Sequence, residues 1–360
     1  MSELRAAIVG TGGIANSHAQ AVHALPDRTR LVAAVDVDED RLRTFCARHE
    51  IPSGSTDLGR MLEAERPDLV HICTPPGTHA DIVVRCLEAG ASVWCEKPLC
   101  ASLAELDRIE AAERATGRSC SSVFQWRFGS AGQHLKQLIE REAMGRSLVG
   151  LCDTTWFRDA AYYSVPWRGR WDTEIGGCTM GHGIHAIDFF LWLLGDWEEV
   201  TAMIGTIDRD IKVEDVSMAT VRFANGGMGS IVNSVLSPRQ ETYLRFDFQK
   251  CTVEVRALYS YANDDWCYTP LTGAEVEAEQ AGWARIEGDA RSSHLAQLTA
   301  LLDSFDRGEQ PPASAGDVRG TFEFLSALYR SAATGEAVRR GAIGPGDPFY
   351  AHVAGTLAAP

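Results

Sequence analysis

Leu4-Arg5-Ala6-Ala7-Ile8-Val9-Gly10-Thr11-Gly12-Gly13-Ile14-Ala15 is an apolar run that breaks into a glycine turn and continues as a helix over Ile14–Leu25. The turn reads G-x-G-x-x-A. Gly10 permits the tight bend, Gly12 lets backbone approach a pyrophosphate, and small Ala15 lets the helix close on the strand. The N–H groups along Thr11, Gly13 and Ile14, with the partial positive charge of a helix start, suit phosphate. A glycine pattern alone is also what any sharp turn requires. Here a second apolar run, Leu31–Val35, ends in Asp36, 24 residues beyond Gly12. A carboxylate at that place accepts the ribose hydroxyls and repels a 2′-phosphate. Strand, loop, helix, strand and acid in this order predict a dinucleotide site made of Gly10, Thr11, Gly12, Gly13, Ile14 and Asp36. The acid favours NAD, while Arg41 and Arg43 nearby leave NADP open.

The alternation continues. Helices are expected at Asp57–Glu65, Thr78–Ala89 and Ser102–Thr116, and strands at Leu69–Cys73, from Ser92 up to Lys97, and at Ser121–Phe128. Repeated βα units imply a doubly wound parallel sheet with helices on both faces, over residues 1–122. Thr74, Pro75 and His79 fall at the carboxyl edge of that sheet, where ligands bind. His79 reads equally well as a helix-start histidine. Ser92-Val93-Trp94-Cys95-Glu96-Lys97-Pro98 is a buried strand stopped abruptly, because a proline forces the preceding residue into extended backbone. Glu96 and Lys97 then lie just past the last rung.

After Phe128 the period changes. A helix at Ala131–Glu142 is followed by strand candidates at Leu148–Trp156, Val200–Ile207, Val216–Phe223, Gly229–Val235, Tyr243–Phe248 and Cys251–Val255. Strands without helices between them predict an α+β domain with a large, mostly antiparallel open sheet over residues 123–360. Helices at Ser292–Asp306 and Asp317–Ala332 are expected to pack back on the body. One open apolar face suits a homodimer or homotetramer.

Composition narrows the partners. With 34 Lys+Arg against 49 Asp+Glu the formal charge is −15, which repels nucleic acid and anionic membranes. Ten scattered cysteines without a C-x-x-C pair predict reduced, cytoplasmic thiols. No basic leader and no long apolar run suggest a signal peptide or a membrane span.

The second informative stretch is Tyr162-Tyr163-Ser164-Val165-Pro166-Trp167-Arg168-Gly169-Arg170-Trp171, followed by Gly176-Gly177-Cys178-Thr179-Met180-Gly181-His182-Gly183-Ile184-His185-Ala186-Ile187-Asp188. A histidine in the first turns of a helix presents an imidazole at the helix end. Tryptophan and tyrosine supply faces for sugar rings, and arginine supplies donors. His182, His185 and Cys178 also have a spacing open to metal, but no third and fourth ligand can be named. The expectation is no metal. Glu214-Asp215 reads as a structural pair.

Gly10–Ala15, Asp36, Cys-Thr-Pro-Pro-x-x-x-His from Cys73, Glu96-Lys97-Pro98 and the W-R-G-x-W…G-G…G-x-H-x-x-D run together resemble the Gfo/Idh/MocA family of glucose–fructose oxidoreductase, inositol dehydrogenase and sugar 3-dehydrogenases. The resemblance implies a Rossmann domain and hydride transfer between NAD(P) and a secondary hydroxyl of a sugar, polyol or nucleotide-sugar. It implies that Lys97 touches both nicotinamide ribose and substrate, often before a cis proline, and that His185 is the general acid/base. It also brings Trp167 and Arg168 toward the cofactor. Gln125 is a further cofactor candidate, and Arg127, Tyr163 and His182 are further substrate candidates. The chain departs from the family at Gly181, where many members carry an aspartate. Asp188, Asp172 or Glu174 are the carboxylates available to support His185. A non-catalytic dinucleotide and sugar sensor of the same fold is the competing class, and an imine or enone reductase the competing chemistry.

Overall fold

The computed structural model describes residues 3–272 and 282–358. They form two compact units, residues 1–123 with 294–319, and residues 124–293 with 320–360. The single cut expected after residue 122 therefore misses one segment, because 294–319 returns to the first unit. The reason is packing: Leu298, Leu301 and Leu302 of the helix His294–Arg307 are buried in one cluster with Ala19 and Val22.

The first unit is a six-stranded parallel sheet in the order β3-β2-β1-β4-β5-β6. Its strands are β1 Leu4–Val9, β2 Thr29–Val35, β3 Ser53–Ser55, β4 Leu69–Ile72, β5 Ser92–Cys95 and β6 Cys120–Ser122. The helices are α1 Ala15–His23, α2 Glu39–Arg48, α3 Leu58–Glu65, α4 His79–Glu88 and α5 Leu103–Thr116. Strand order reverses between β1 and β4, and the crevice at such a switch point is where doubly wound sheets bind ligands. The chain punctuates these helices with acceptors. Asp38, Asp57 and Ser102 each take N–H groups at the starts of α2, α3 and α5. Helix α2 has no counterpart in the sequence reading. It buries only Leu42 and Phe45, too few apolar positions to write a periodic stripe. The strand expected over Ser121–Phe128 shortens to β6 and gives way to a 3₁₀ turn, Gln125–Phe128.

The second unit contains an eight-stranded sheet in the order β13-β12-β11-β7-β10-β9-β8-β14. These are β7 Ser147–Phe157, β8 Trp197–Gly205, β9 Val216–Phe223, β10 Met228–Ser234, β11 Leu236–Phe248, β12 Cys251–Ala257, β13 Trp266–Pro270 and β14 Val338–Arg339. All pairings are antiparallel except β7 with β10, which run parallel. Helices α6 Ser130–Glu140, α7 Ala160–Tyr163 and α8 Ile184–Leu194 complete this part of the unit. Helix α8 lies on one face of the sheet, seated by a groove of glycines. A Cβ on Gly150 or Gly229 would come within 2.5 or 2.9 Å of the Phe190 ring. The other face carries exposed apolar side chains in register: Met203 opposite Met218, and Met228 opposite Val149.

Candidate active site

The glycine turn of the first unit is built for two different neighbours. Gly10 has φ +87°, and a Cβ there would meet the backbone of Cys73 and Thr74 at 2.8 Å, so internal packing requires glycine. A Cβ on Gly12 or Gly13 would meet nothing within 4 Å. Nothing inside the unit asks for glycine at those two positions, which is what a turn facing an external pyrophosphate needs. Asp36 follows β2 directly, with its carboxylate already engaged. Thr11 donates its N–H at 2.7 Å and its hydroxyl at 2.8 Å, the Asp38 N–H donates at 3.0 Å, and Arg41 forks onto both oxygens at 3.0 and 2.6 Å. Burial opposes ionisation there, but the Arg41, Asp38 and Thr11 donors outweigh it and hold the carboxyl well below its ordinary range. Arg43 turns away to Asp40. These residues fit a bound dinucleotide: open glycine backbone for phosphate, and an ionised acceptor for ribose.

Past β4, the Thr74 hydroxyl accepts from Thr78 at 2.8 Å. His79 is fully buried, and its ring bridges the carbonyls of Pro98 and Thr74 at 2.7 and 2.8 Å. Its ring nitrogens are spent on the fold. His79 ties the Thr74-Pro75 turn to the loop after Lys97. The Lys97–Pro98 bond is cis.

Glu96 is the residue whose surroundings sequence reading missed. Its Oε1 lies 3.0 Å from Nε2 of both His18 and His294, and its Oε2 accepts the Lys97 N–H at 3.2 Å. His18 Nδ1 in turn faces His71 Nδ1 at 3.2 Å. Trp94 packs among the three rings, 4.5 Å from His18, 5.2 Å from His71 and 5.9 Å from His294. Burial pushes the imidazoles of His18 and His71 down. Burial opposes ionisation of Glu96 as well, but the two imidazole donors hold its carboxyl well below the usual range. One proton arrangement satisfies the string: His71 Nδ1–H to His18, and His18 Nε2–H to Glu96. Among the described residues this is the one group of side chains able to share an ion, and hydrogen bonding accounts for it without one.

In the second unit the Gly176-Gly177 entry is tightly packed. A Cβ on Gly177 would fall 1.8 Å from the Glu214 carbonyl oxygen, and one on Gly183 2.0 Å from Asn233. Glu214 accepts the N–H groups of Gly177 and Thr179 and the Tyr329 hydroxyl, at 2.9, 3.0 and 2.9 Å. Burial pushes its carboxyl up. Asp215 accepts three further backbone N–H groups, from Ile207, Asp208 and Arg209. A single π-helical turn, Thr179–Gly183, carries His182 and feeds α8, whose first turn carries His185. His185 is half-buried, edge-on to Phe124 with ring centres 6.3 Å apart.

The candidate carboxylates separate clearly. Asp188 is fully buried, with Arg127 forked onto it at 2.7 and 2.5 Å and the Thr321 hydroxyl donating at 2.9 Å. That pairing holds Asp188 and Arg127 together in the interior of the second unit. Asp172 is exposed and paired with Arg170. Glu174 is buried and receives the Gly169 N–H at 2.6 Å and Arg168 Nη1 at 3.2 Å. A Cβ on Gly181 would sit 3.5 Å from its Oε1, so Glu174 occupies the ground beside the missing side chain. Arg168 also donates to the Tyr162 hydroxyl and lies over the Tyr162 and Trp167 rings at 3.8 and 4.3 Å. Tyr163 packs edge-on to Tyr162, and Gln125 is buried in its 3₁₀ turn.

A switch-point sheet with a ribose acid and a strand-end lysine, and a sheet unit carrying a histidine on a helix entry, define a nicotinamide-dependent oxidoreductase. Residues 4–124 match the oxidoreductase family with NAD-binding Rossmann fold and residues 133–256 match the GFO/IDH/MocA C-terminal domain, and the chain belongs to that family. It is similar to myo-inositol 2-dehydrogenase of Thermotoga maritima, 29% identical over 64% of this chain and 68% of that one. It is also similar to D-glucoside 3-dehydrogenase of Escherichia coli, 25% identical over 94% of this chain and 97% of that one. The WlbA dehydrogenase of Bordetella pertussis, solved with NADH and UDP-GlcNAcA, superposes with a TM-score of 0.84 at 25% identity, covering 94% and 98% of the two chains. The chain is an NAD-dependent oxidoreductase of this family.

Proposed function

We propose that the chain oxidises a secondary hydroxyl of a sugar, polyol or nucleotide-linked sugar, with His185 and Lys97 as the acting side chains. Bound NAD supplies the hydride acceptor. His185 takes the hydroxyl proton, and the Lys97 ammonium balances the developing alkoxide. Glu174 supplies, beside Gly181, the carboxylate that many relatives carry at that position of the helix entry. The observation that carries this reading is Glu96-Lys97 at the carboxyl end of β5, in a parallel sheet whose ribose acceptor, Asp36, is held ionised. The substrates named for the inositol and glucoside dehydrogenases above support the hydroxyl class.

The exposed row of Met203, Met218, Met228 and Val149 supports burial of that sheet face in a homodimer or homotetramer. The cysteines are all free thiols, nine of them buried or half-buried, which supports a reducing, cytoplasmic setting. No helix among the described residues is long and apolar enough to cross a membrane.

The test is a screen of polyols, aldoses, glycosides and nucleotide-linked sugars with NAD and NADP, read at the nicotinamide absorbance. Turnover of at least one of them is expected. Binding of NAD and a sugar without any reduction would identify a sensor instead.

A further inference from the structure

Arg158 stands directly after β7, its N–H fixed to the Val235 carbonyl at 2.9 Å. Its guanidinium is half-buried and donates to four groups. They are His182 Nε2 at 3.1 Å, the Phe157 carbonyl at 2.8 Å, Gln240 Oε1 at 3.4 Å and the Tyr259 hydroxyl at 3.2 Å. It also lies 4.9 Å from the Trp156 ring centre and 5.2 Å from that of Tyr162. None of these partners is a carboxylate. His182 Nε2 accepts from the Arg158 Nε–H and so brings no negative charge to it.

That is unusual for this molecule. The chain carries 49 acids against 34 Lys+Arg, so carboxylates are abundant. The other sheltered arginines of the unit have found one: Arg127 has Asp188, Arg168 has Glu174, Arg209 has Asp208, Arg245 has Asp247 and Arg330 has Asp347. Asp159, next in the chain, turns its carboxylate to cap the Tyr162 N–H at 2.9 Å. No carboxylate among the described residues pairs with Arg158. A charge drawn out of water is costly unless an opposite charge meets it. Arg158 also sits one residue from the acid/base candidate in contact terms: it bonds His182, which precedes His185 by one helical turn.

We propose that Arg158 is an anion subsite, and that the sugar this enzyme binds carries a carboxylate, as a uronate does. The proposal rests on the sugar-dehydrogenase reading of the same unit. The guanidinium, 4.9 and 5.2 Å from the Trp156 and Tyr162 ring centres, keeps one N–H for a carboxylate oxygen beside the Tyr259 hydroxyl. The second Nη2 hydrogen, not used by Tyr259, and the Tyr259 hydroxyl provide its donors. Pairing would supply the missing countercharge beside His182.

The test is binding to the enzyme saturated with NADH, followed by tryptophan fluorescence, for matched acid and neutral sugars: glucuronate against glucose, and UDP-glucuronate against UDP-glucose. The acid of at least one pair is expected to bind about ten-fold or more tighter than its neutral partner, the scale of a charge-assisted hydrogen bond. Arg158→Gln should remove roughly ten- to hundred-fold of the acid's affinity and collapse the ratio, and Arg158→Lys should restore part of it. The salt dependence of acid binding should weaken in Arg158→Gln. Equal affinity for acid and neutral members of both pairs, failure of both acids to bind, or an equal loss for both members in Arg158→Gln would each overturn the proposal. Because binding is read without turnover, an acid that binds through Arg158 but is never oxidised would sink the dehydrogenase reading while leaving the subsite standing.

Discussion

The glycines of the two units are used in opposite ways. Around Gly12 and Gly13 a Cβ would meet nothing within 4 Å, whereas around Gly177 and Gly183 it would collide at 1.8 and 2.0 Å. The first pair is small for the sake of something outside the chain. The second pair is small because the chain itself fills the space, pressing the histidine turn against Glu214 and Asn233. The nucleotide edge is therefore an open surface with preset donors, and the histidine helix is a tightly held mount. Mutation should separate the two.

The largest expected effect lies on the mount. His185→Ala should lower turnover by roughly a hundred- to ten-thousand-fold, the span of one general acid/base, with NAD affinity little altered. Lys97→Ala should cost roughly a hundred- to a thousand-fold in turnover, since charge stabilisation is felt mainly in the transition state. Near-native steady-state rates in His185→Ala would make that helix a scaffold and break the contrast drawn above.

Next comes the steric contrast itself. Gly177→Ala should lower the stability of the second unit by about 3 kcal/mol, because backbone oxygen cannot move aside as a side chain can. Gly12→Ala should leave urea midpoints nearly unchanged while weakening NAD binding. Equal unfolding midpoints for Gly177→Ala and wild type would refute the packing account.

A smaller effect is expected at Glu174. Glu174→Gln keeps the shape beside Gly181 and removes the charge, so turnover should fall by about ten-fold and its pH profile should shift. A glutamine variant with an unmoved pH profile would leave Glu174 a purely structural acceptor of the Gly169 N–H.

The smallest change concerns cofactor choice. Asp36→Ser removes the carboxylate that repels a 2′-phosphate and releases the Arg41 fork that now neutralises it. The NAD-over-NADP preference should narrow by about ten-fold, as read by titration with both nucleotides. Tighter NADP binding by the wild type would show that Arg41, not Asp36, governs the ribose end.

Much of this was legible before any coordinates, and unevenly so. Gly10–Ala15 and Asp36 announce themselves because turn, helix start and acid are separated by fixed, short spacings. Helix α2 did not, since Leu42 and Phe45 alone leave no stripe to read. Asp188 looked like a partner for His185 from its spacing on one helix. Folding also gives it Arg127, which is 61 residues away and leaves no mark near it.

The sequence by itself determined the alternation of strands and helices through most of the nucleotide unit, its dinucleotide turn and its ribose acid. Each of these depends on backbone geometry set by neighbours within a few residues, or on a spacing one βα repeat long. Tertiary structure alone decided which charges meet. Glu96 gathers His18 and His294 across 78 and 198 residues, Glu174 rather than Asp172 settles beside Gly181, and Arg158 meets no acid among the described residues in a chain full of them. A buried charge takes the partner that folding brings within about 3 Å, and separation along the chain carries no information about that distance.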